Sequence, residues 1–176
     1  MNILEGKDIF LRALEPEDID ILYQWENDTD GWAVSNLFAP LSRYVLVEYL
    51  KTAHRDIFEN KELRLVIALK DSGKAIGLID LFNYDPYHNR AGVGILIAEI
   101  EDRGKGFASE ALGLMVNYAF SILRLHSLYC DISETNVKSI NLFENANFVQ
   151  QGEKKDWLRT KDGYETEFFY QLFNEL

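Results

Sequence analysis

The short apolar run Ile9-Phe10-Leu11 within Asp8 to Ala13 predicts a first strand. Glu15-Pro16-Glu17-Asp18 follows, where proline at the first helical position and acids in the first turn suit a helix start, with Ile19, Leu22 and Tyr23 as its buried stripe. Past Ser42 the apolar spacing changes to three and four: Leu46, Tyr49, Leu50, Ala53 and Ile57 share one face, predicting a second helix that reaches Ile57. The middle of the chain reads as strands, Leu63 to Leu69, Ala75 to Tyr84 and Val93 to Ala98, separated by the turn Lys70-Asp71-Ser72-Gly73 and by Asp85-Pro86. Two turns in succession imply an antiparallel meander. Ala108, Ala111, Leu112, Met115, Ala119 and Ile122 return to helical spacing, so the longest predicted helix covers 107–123. A strand at Ser127 to Ser133, a short helix from Asn136 to Asn145, and two strands, Phe148 to Trp157 and Tyr164 to Phe173, complete the order. The expected fold is α/β: a mixed, mostly antiparallel sheet of about seven strands flanked by about four helices, in a single domain over 1–176.

Composition removes several classes. In 176 residues, 47% hydrophobic and 13% aromatic, with 11 Gly and one Cys, collagen-like, disordered and disulfide-framework chains fall away. The formal charge of −11 repels a nucleic-acid backbone, so no nucleic-acid partner is expected. The uncharged stretch Ala111 to Leu123 is too short, and with Asn117 and Ser121 too polar, for a bilayer span, while Glu5 and Asp8 precede any signal-peptide core. The expectation is a cytoplasmic protein without a membrane partner and with one reduced thiol, Cys130. His54, His88 and His126 are isolated from one another and from other ligand types, so no metal is expected.

The sharpest local feature is Arg103-Gly104-Lys105-Gly106-Phe107-Ala108, between a hydrophobic strand and the start of the long helix. Glycines permit close backbone approach, and unpaired N–H groups with the helix dipole suit a pyrophosphate; the alternative is a Gly-rich turn with exposed basic residues. Neither Gly-x-Gly-x-x-Gly nor Gly-Lys-Ser/Thr occurs, so a different phosphate-bearing cofactor is required. The segment resembles the Arg/Gln-x-x-Gly-x-Gly/Ala loop of the Gcn5-related N-acetyltransferase (GNAT) superfamily, and the resemblance extends over nearly the whole chain. Leu11-Arg12-x-Leu14-Glu15-Pro16-Glu17-Asp18 and Asn136-x-x-Ser139-x-x-Leu142-x-Glu144 are similar to segments of its spermidine and ribosomal-protein alanine N-acetyltransferase groups.

The resemblance implies acetyl-CoA as co-substrate and direct transfer of the acetyl group to a primary amine. It places main-chain groups of Leu96, Ile97 and Ala98 against pantetheine, and those of Arg103, Gly104, Lys105, Gly106, Phe107, Ala108 and Ser109 against pyrophosphate, with Arg103 and Lys105 adding charge. Asn136 would reach the pantetheine arm, with Lys138 and Ser139 near the nucleotide or thiol; as a helix N-cap, Asn136 is equally accounted for. Three positions depart from the pattern. Phe143, in the cofactor set, stands where many relatives have a proton-donating Tyr, so Ser139 or water must serve; Gly92 stands where spermidine-type relatives often have Glu; Asn147 replaces a helix-ending Gly.

An amine with a pKa of about 10.4 is reactive in roughly one molecule in a thousand at pH 7, so the site must take a proton. Asp80, interrupting the apolar run Leu78-Ile79-Asp80-Leu81-Phe82, is the candidate base or water-holder; a structural hydrogen bond explains it as well. Between Ala13 and Ser42 stand seven acids and no Lys or Arg, a negative field for a cationic acceptor. Glu26, Asp28 and Asp30, beside Trp25 and Trp32, are the candidate acceptor contacts, with Trp157 a further one. The expected acceptor is a small cationic amine such as a polyamine. The alternatives are a protein N-terminus, or no acceptor at all in an acetyl-CoA-binding sensor. A homodimer or larger homo-oligomer is compatible with each.

Overall fold

The computed structural model describes residues 2–29, 39–53 and 55–175. Seven strands form one sheet in the order β1-β2-β3-β4-β5-β7-β6: β1 Ile9–Ala13, β2 Leu63–Leu69, β3 Ala75–Asp85, β4 Arg90–Ile97, β5 Ser127–Ser133, β6 Val149–Arg159 and β7 Tyr164–Phe173. Five helices lie among the described residues: α1 Ile19–Glu26, α2 Arg43–Ala53, α3 Ile57–Asn60, α4 Phe107–Ser121 and α5 Val137–Asn145. Every neighbouring strand pair is antiparallel except β4 and β5, so the mixed, mostly antiparallel sheet matches the expectation.

Side chains alternate across the sheet and build two cores. Leu65 and Ile67 of β2, Ile79 and Leu81 of β3 and Val93 of β4 join Ala111, Leu112, Met115 and Ala119 of α4 in the larger one. Val66 and Leu78, on the opposite face, meet Leu22, Trp25 and Leu46 from α1 and α2 in the smaller one.

Three details differ from the sequence reading. The second helix ends at Ala53; Asp56 then caps a separate turn by accepting the Glu59 N–H at 3.0 Å, and Ile57 reaches the larger core from α3. An Asp able to bond the backbone three residues on competes with continuation of a helix. Trp25, not Tyr23, completes the stripe of α1: Tyr23 is exposed, with the Arg43 guanidinium 4.7 Å from its ring centroid. β4 starts at Arg90 rather than Val93, because Asp85 accepts the N–H groups of Tyr87 and His88, each at 3.0 Å, and closes the turn early. Asn147 adopts the left-handed conformation (φ 66°) that its place after α5 asks for.

Before α1, Asp18 is buried and takes both ends of the Arg12 guanidinium, at 2.7 and 2.8 Å, together with the Glu15 N–H at 2.8 Å. Burial pushes its carboxyl up, but Arg12 and the Glu15 N–H outweigh that and hold it below the ordinary range. A depressed carboxyl stabilises the fold above its unfolded pKa, and that contribution disappears as pH falls through the folded value. Asp18→Asn is therefore expected to lower the melting temperature at pH 7 and to narrow the difference between pH 7 and pH 2.5, read by thermal unfolding at both.

The sheet opens where β4 and β5 meet. They pair only at Arg90↔Ser127, Ala91↔Leu128 and Gly92↔Tyr129, while β4 runs on to Ile97 and β5 to Ser133. Beyond Gly92 the facing edges have no strand partner in each other, and a V-shaped gap separates them.

Candidate active site

At the open end of the gap, β4 leads through a short 3-10 turn, Ile100–Asp102, into the loop before α4. Gly104 (φ 75°) and Gly106 (φ 89°) are both left-handed, and a Cβ on either would meet nothing within 4 Å, so the glycines serve backbone conformation rather than tight packing. No side chain caps α4, and its first internal bond runs from Glu110 N–H to the Gly106 carbonyl. The N–H groups of Phe107, Ala108 and Ser109 therefore point out of the helix start with the positive end of the dipole, which fits a pyrophosphate. The side chain of Glu110 turns away and accepts the N–H groups of Lys7 and Asp8, tying the start of α4 to the loop before β1.

The two basic residues of the loop are partly engaged within the chain. Arg103 donates from Nε to the Ile97 carbonyl at 2.9 Å and from Nη2 to the Ala98 carbonyl at 2.8 Å. It thus fixes the exit of β4, and in this structure it occupies carbonyls that the resemblance assigns to pantetheine. Lys105 lies 3.3 Å from buried Asp102, which also takes Lys74 at 2.9 Å. If Arg103 works by holding backbone, Arg103→Ala should raise KM about tenfold for acetyl-CoA and for phosphate-free acetyl-pantetheine alike, as expected for losing hydrogen bonds of about 1 kcal/mol each. A loss confined to acetyl-CoA would show instead that the guanidinium acts on phosphate.

The far wall of the gap is β5 with α5. Asn136 caps α5, its Oδ1 accepting the Ser139 N–H at 3.2 Å, so the capping account of Asn136 holds. Ser139 is half-buried in the first turn and Lys138 is exposed. Phe143 lies inside the larger core, edge-on to Phe148 with centroids 5.0 Å apart; its ring belongs to the core rather than to the gap.

On the sheet face that carries α1 and α2, Asp80 stands opposite Gly94 of β4 and opposite Arg64 of β2. Arg64 grips Asp80 with Nε and Nη2 at 2.8 and 2.9 Å, bonds Glu26 of α1 through Nη1 at 2.7 Å, and comes within 4.0 Å of Glu62. Its guanidinium also lies 5.5 Å from the Tyr49 ring centroid, and the Tyr49 hydroxyl donates to Glu62 at 2.9 Å. Burial pushes the Asp80 carboxyl above the ordinary range, with Arg64 opposing. Each carboxylate oxygen keeps acceptor capacity beside its Arg64 bond, so Asp80 can be held in place and still receive an amine N–H.

Between Asp80 and the apex of the gap, β4 presents Gly92 and Gly94. A Cβ at Gly92 would lie 2.3 Å from the Phe82 ring, which fills the place a side chain at that position would need. The structure brings Asp80 and Glu26 together through Arg64, whereas Ser139 belongs to α5, whose Phe143 packs into the larger core on the other side of the sheet. Trp25, expected at the acceptor side, is a core residue at 8% exposure; Asp28 is exposed at the end of α1; Trp32 and Asp30 lie outside the described residues, as does His54. Trp157 is exposed on β6, its ring centroid 5.5 Å from the Lys154 ammonium. Arg64, Phe82 and Tyr129 were missed in the sequence, although a lone Arg in apolar Leu63-Arg64-Leu65 and a lone Asp in the next strand were a pairing signal.

A sheet splayed between two parallel strands, with an uncapped helix start at its mouth that suits a pyrophosphate, is the arrangement expected of an acyl-CoA-dependent transferase. The acetyltransferase (GNAT) domain family matches residues 8–149, and the chain belongs to that family of N-acetyltransferases, whose acetyl donor is acetyl-CoA. It is similar to spermidine N(1)-acetyltransferases of Vibrio cholerae (34% identity, covering 81% of this chain and 79% of that protein) and Escherichia coli K12 (30%, 81% and 74%). A putative ribosomal N-acetyltransferase of Bacillus subtilis is 30% identical, over 93% of this chain and 90% of its own. Among solved structures, the Vibrio cholerae spermidine N-acetyltransferase in complex with CoA and spermine superposes with a TM-score of 0.85 at 27% identity, covering 96% of each chain. No helix among the described residues is long and apolar enough to cross a membrane.

Proposed function

We propose that the protein, acting as one domain over 1–176, acetylates a primary amine of a polyamine in the cytoplasm. The observation that carries this reading is the convergence of Asp80, Glu26 and Glu62 on Arg64, on the sheet face over Gly92 and Gly94. Glu26 belongs to a segment, between Ala13 and Ser42, that is rich in acids and has no Lys or Arg. Carboxylates there draw in and orient an ammonium group. Similarity to spermidine N-acetyltransferases supports the same acceptor class.

In the step itself an N–C bond forms and the thioester C–S bond breaks. One ammonium proton passes to Asp80 or to a water that Asp80 holds before the nitrogen attacks, the second leaves the nitrogen as the C–S bond breaks and replaces the proton given to the leaving thiolate, and N–H groups on the unpaired edge of β4 stabilise charge on the carbonyl oxygen. Phe143 has no proton to give, so the leaving thiolate, with an ordinary pKa of about 8.5, is protonated by water or by Ser139.

The test is acetyl-CoA-dependent thiol release with spermidine, spermine, and peptides beginning Ser or Ala. Saturable turnover of the polyamines is expected. Turnover of peptides alone would transfer the assignment to protein N-terminal acetylation, and acetyl-CoA binding without turnover of any amine would make the protein a sensor.

A further inference from the structure

Three aromatic side chains on the sheet face of Asp80 belong to neither hydrophobic core: Phe82 of β3, Tyr129 of β5 and Phe169 of β7. They form a row. Phe82 and Tyr129 meet edge to face with centroids 6.0 Å apart, and Tyr129 and Phe169 follow at 5.9 Å and 40°. Tyr129 is also the residue at which β4 and β5 cease to pair, so the row starts beside Asp80 and passes the apex of the gap. It then borders a cavity of about 370 Å³ lined by Tyr129 and Phe169 with Asn83, Asp85, Arg90 and Gln171. That volume is in the range of small-molecule sites, which combine apolar walls with a few convergent polar groups.

The three rings stabilise one another by their contacts, and, being half-buried outside both cores, they leave aromatic surface open at the cavity, which suits a ligand. The walls suit a chain of methylenes carrying positive charge: methylenes lie on ring faces, an ammonium is attracted to them, and the amide oxygens of Asn83 and Gln171 accept its protons. Asp85 stays ionised there, its carboxyl held low first by the His88 N–H, and Arg90 stands 3.6 Å away. We infer that this cavity holds the distal alkylammonium segment of the acceptor, and that Tyr129 and Phe169 thereby select for chain length. The inference rests on the amine-acetyltransferase reading and deepens it.

Two measurements test it. The first is the ratio of kcat/KM for spermidine to that for n-butylamine, which has one amine and no distal charge. Phe169→Ala is expected to lower this ratio about tenfold, the scale of a lost cation–π contact, whereas Tyr129→Phe, which keeps the ring face, leaves the ratio near that of the wild type. The second is calorimetric binding of spermidine to the CoA-loaded protein, which should weaken by a similar factor in Phe169→Ala. A ratio unchanged in Phe169→Ala, or affinity unchanged in the binding experiment, would overturn the cavity assignment while leaving the enzymatic reading intact. If the wild type acetylates no amine, the enzymatic reading fails by itself, and the calorimetric comparison still decides the cavity. Phe169→Ala is expected to fold, as its place outside both cores predicts, and thermal unfolding checks this.

Discussion

Gly106→Glu is expected to abolish acetyl-CoA binding while the chain still folds. Gly106 is the N-cap of α4 at φ 89°, with open space around the position a Cβ would take, so no clash follows from adding a side chain. The structural cost is that of a left-handed L-residue, roughly 1–2 kcal/mol, which a domain of this size tolerates. The functional cost is larger, because a carboxylate at the N-terminus of α4 satisfies the same N–H groups and dipole that would receive pyrophosphate, and repels its charge. Gly106→Ala carries the strain without the charge and separates the two effects. Calorimetry with acetyl-CoA should show heat for wild type, weakened binding for Gly106→Ala and none for Gly106→Glu. Full affinity in Gly106→Glu would end the assignment of this loop to the cofactor.

The second large effect belongs to Arg64. Arg64→Met leaves Asp80 and Glu26, only 21% and 15% exposed, without their shared cation. Breaking a buried pair by removing one partner costs about 3–5 kcal/mol. At about 2–4 °C per kcal/mol in chains of this length, the melting temperature should fall on the order of 10 °C. Lys should rescue little, since a single ammonium cannot reproduce the fork on Asp80 and the bond to Glu26 together. Arg64→Met combined with Asp80→Leu removes one of the two stranded carboxylates and should recover part of the stability, yet turnover should stay at least about a hundredfold low, the scale of a lost acid–base group. Recovery of turnover with stability would show that Asp80 serves the fold alone.

Much of this architecture was legible in the chain. Strand and helix periods are local, which is why all seven strands, the long α4 and the short α5 could be placed within a few residues. The conformation of the loop before α4 was legible for the same reason: two glycines and the helix start after them are contiguous, and the N–H groups proposed to bind an anion come from the backbone of that one segment. Local competition already blurred the picture at α2, where Asp56 capped a new turn inside an apolar stripe that continued to Ile57.

The acceptor side was decided elsewhere. A regular hairpin continued from the pairing Ala68↔Ala75 would set Arg64 against Ile79, on the opposite face from Asp80. The irregularity between Ile67 and Ala68 advances β3 by one residue, sets Arg64 against Asp80, and creates the ion pair. A one-residue slip exchanges the faces of a strand, and nothing in either strand alone records it. The row Phe82, Tyr129 and Phe169 depends in the same way on the order β3-β4-β5-β7, which brings together residues as far apart as 82 and 169. The sequence by itself therefore determined the elements and the Gly-rich loop proposed for the pyrophosphate, whose chemistry is carried by consecutive backbone groups. Only the tertiary structure decided which charges and rings share the face proposed for the acceptor, because register and strand order act between segments far apart in the chain.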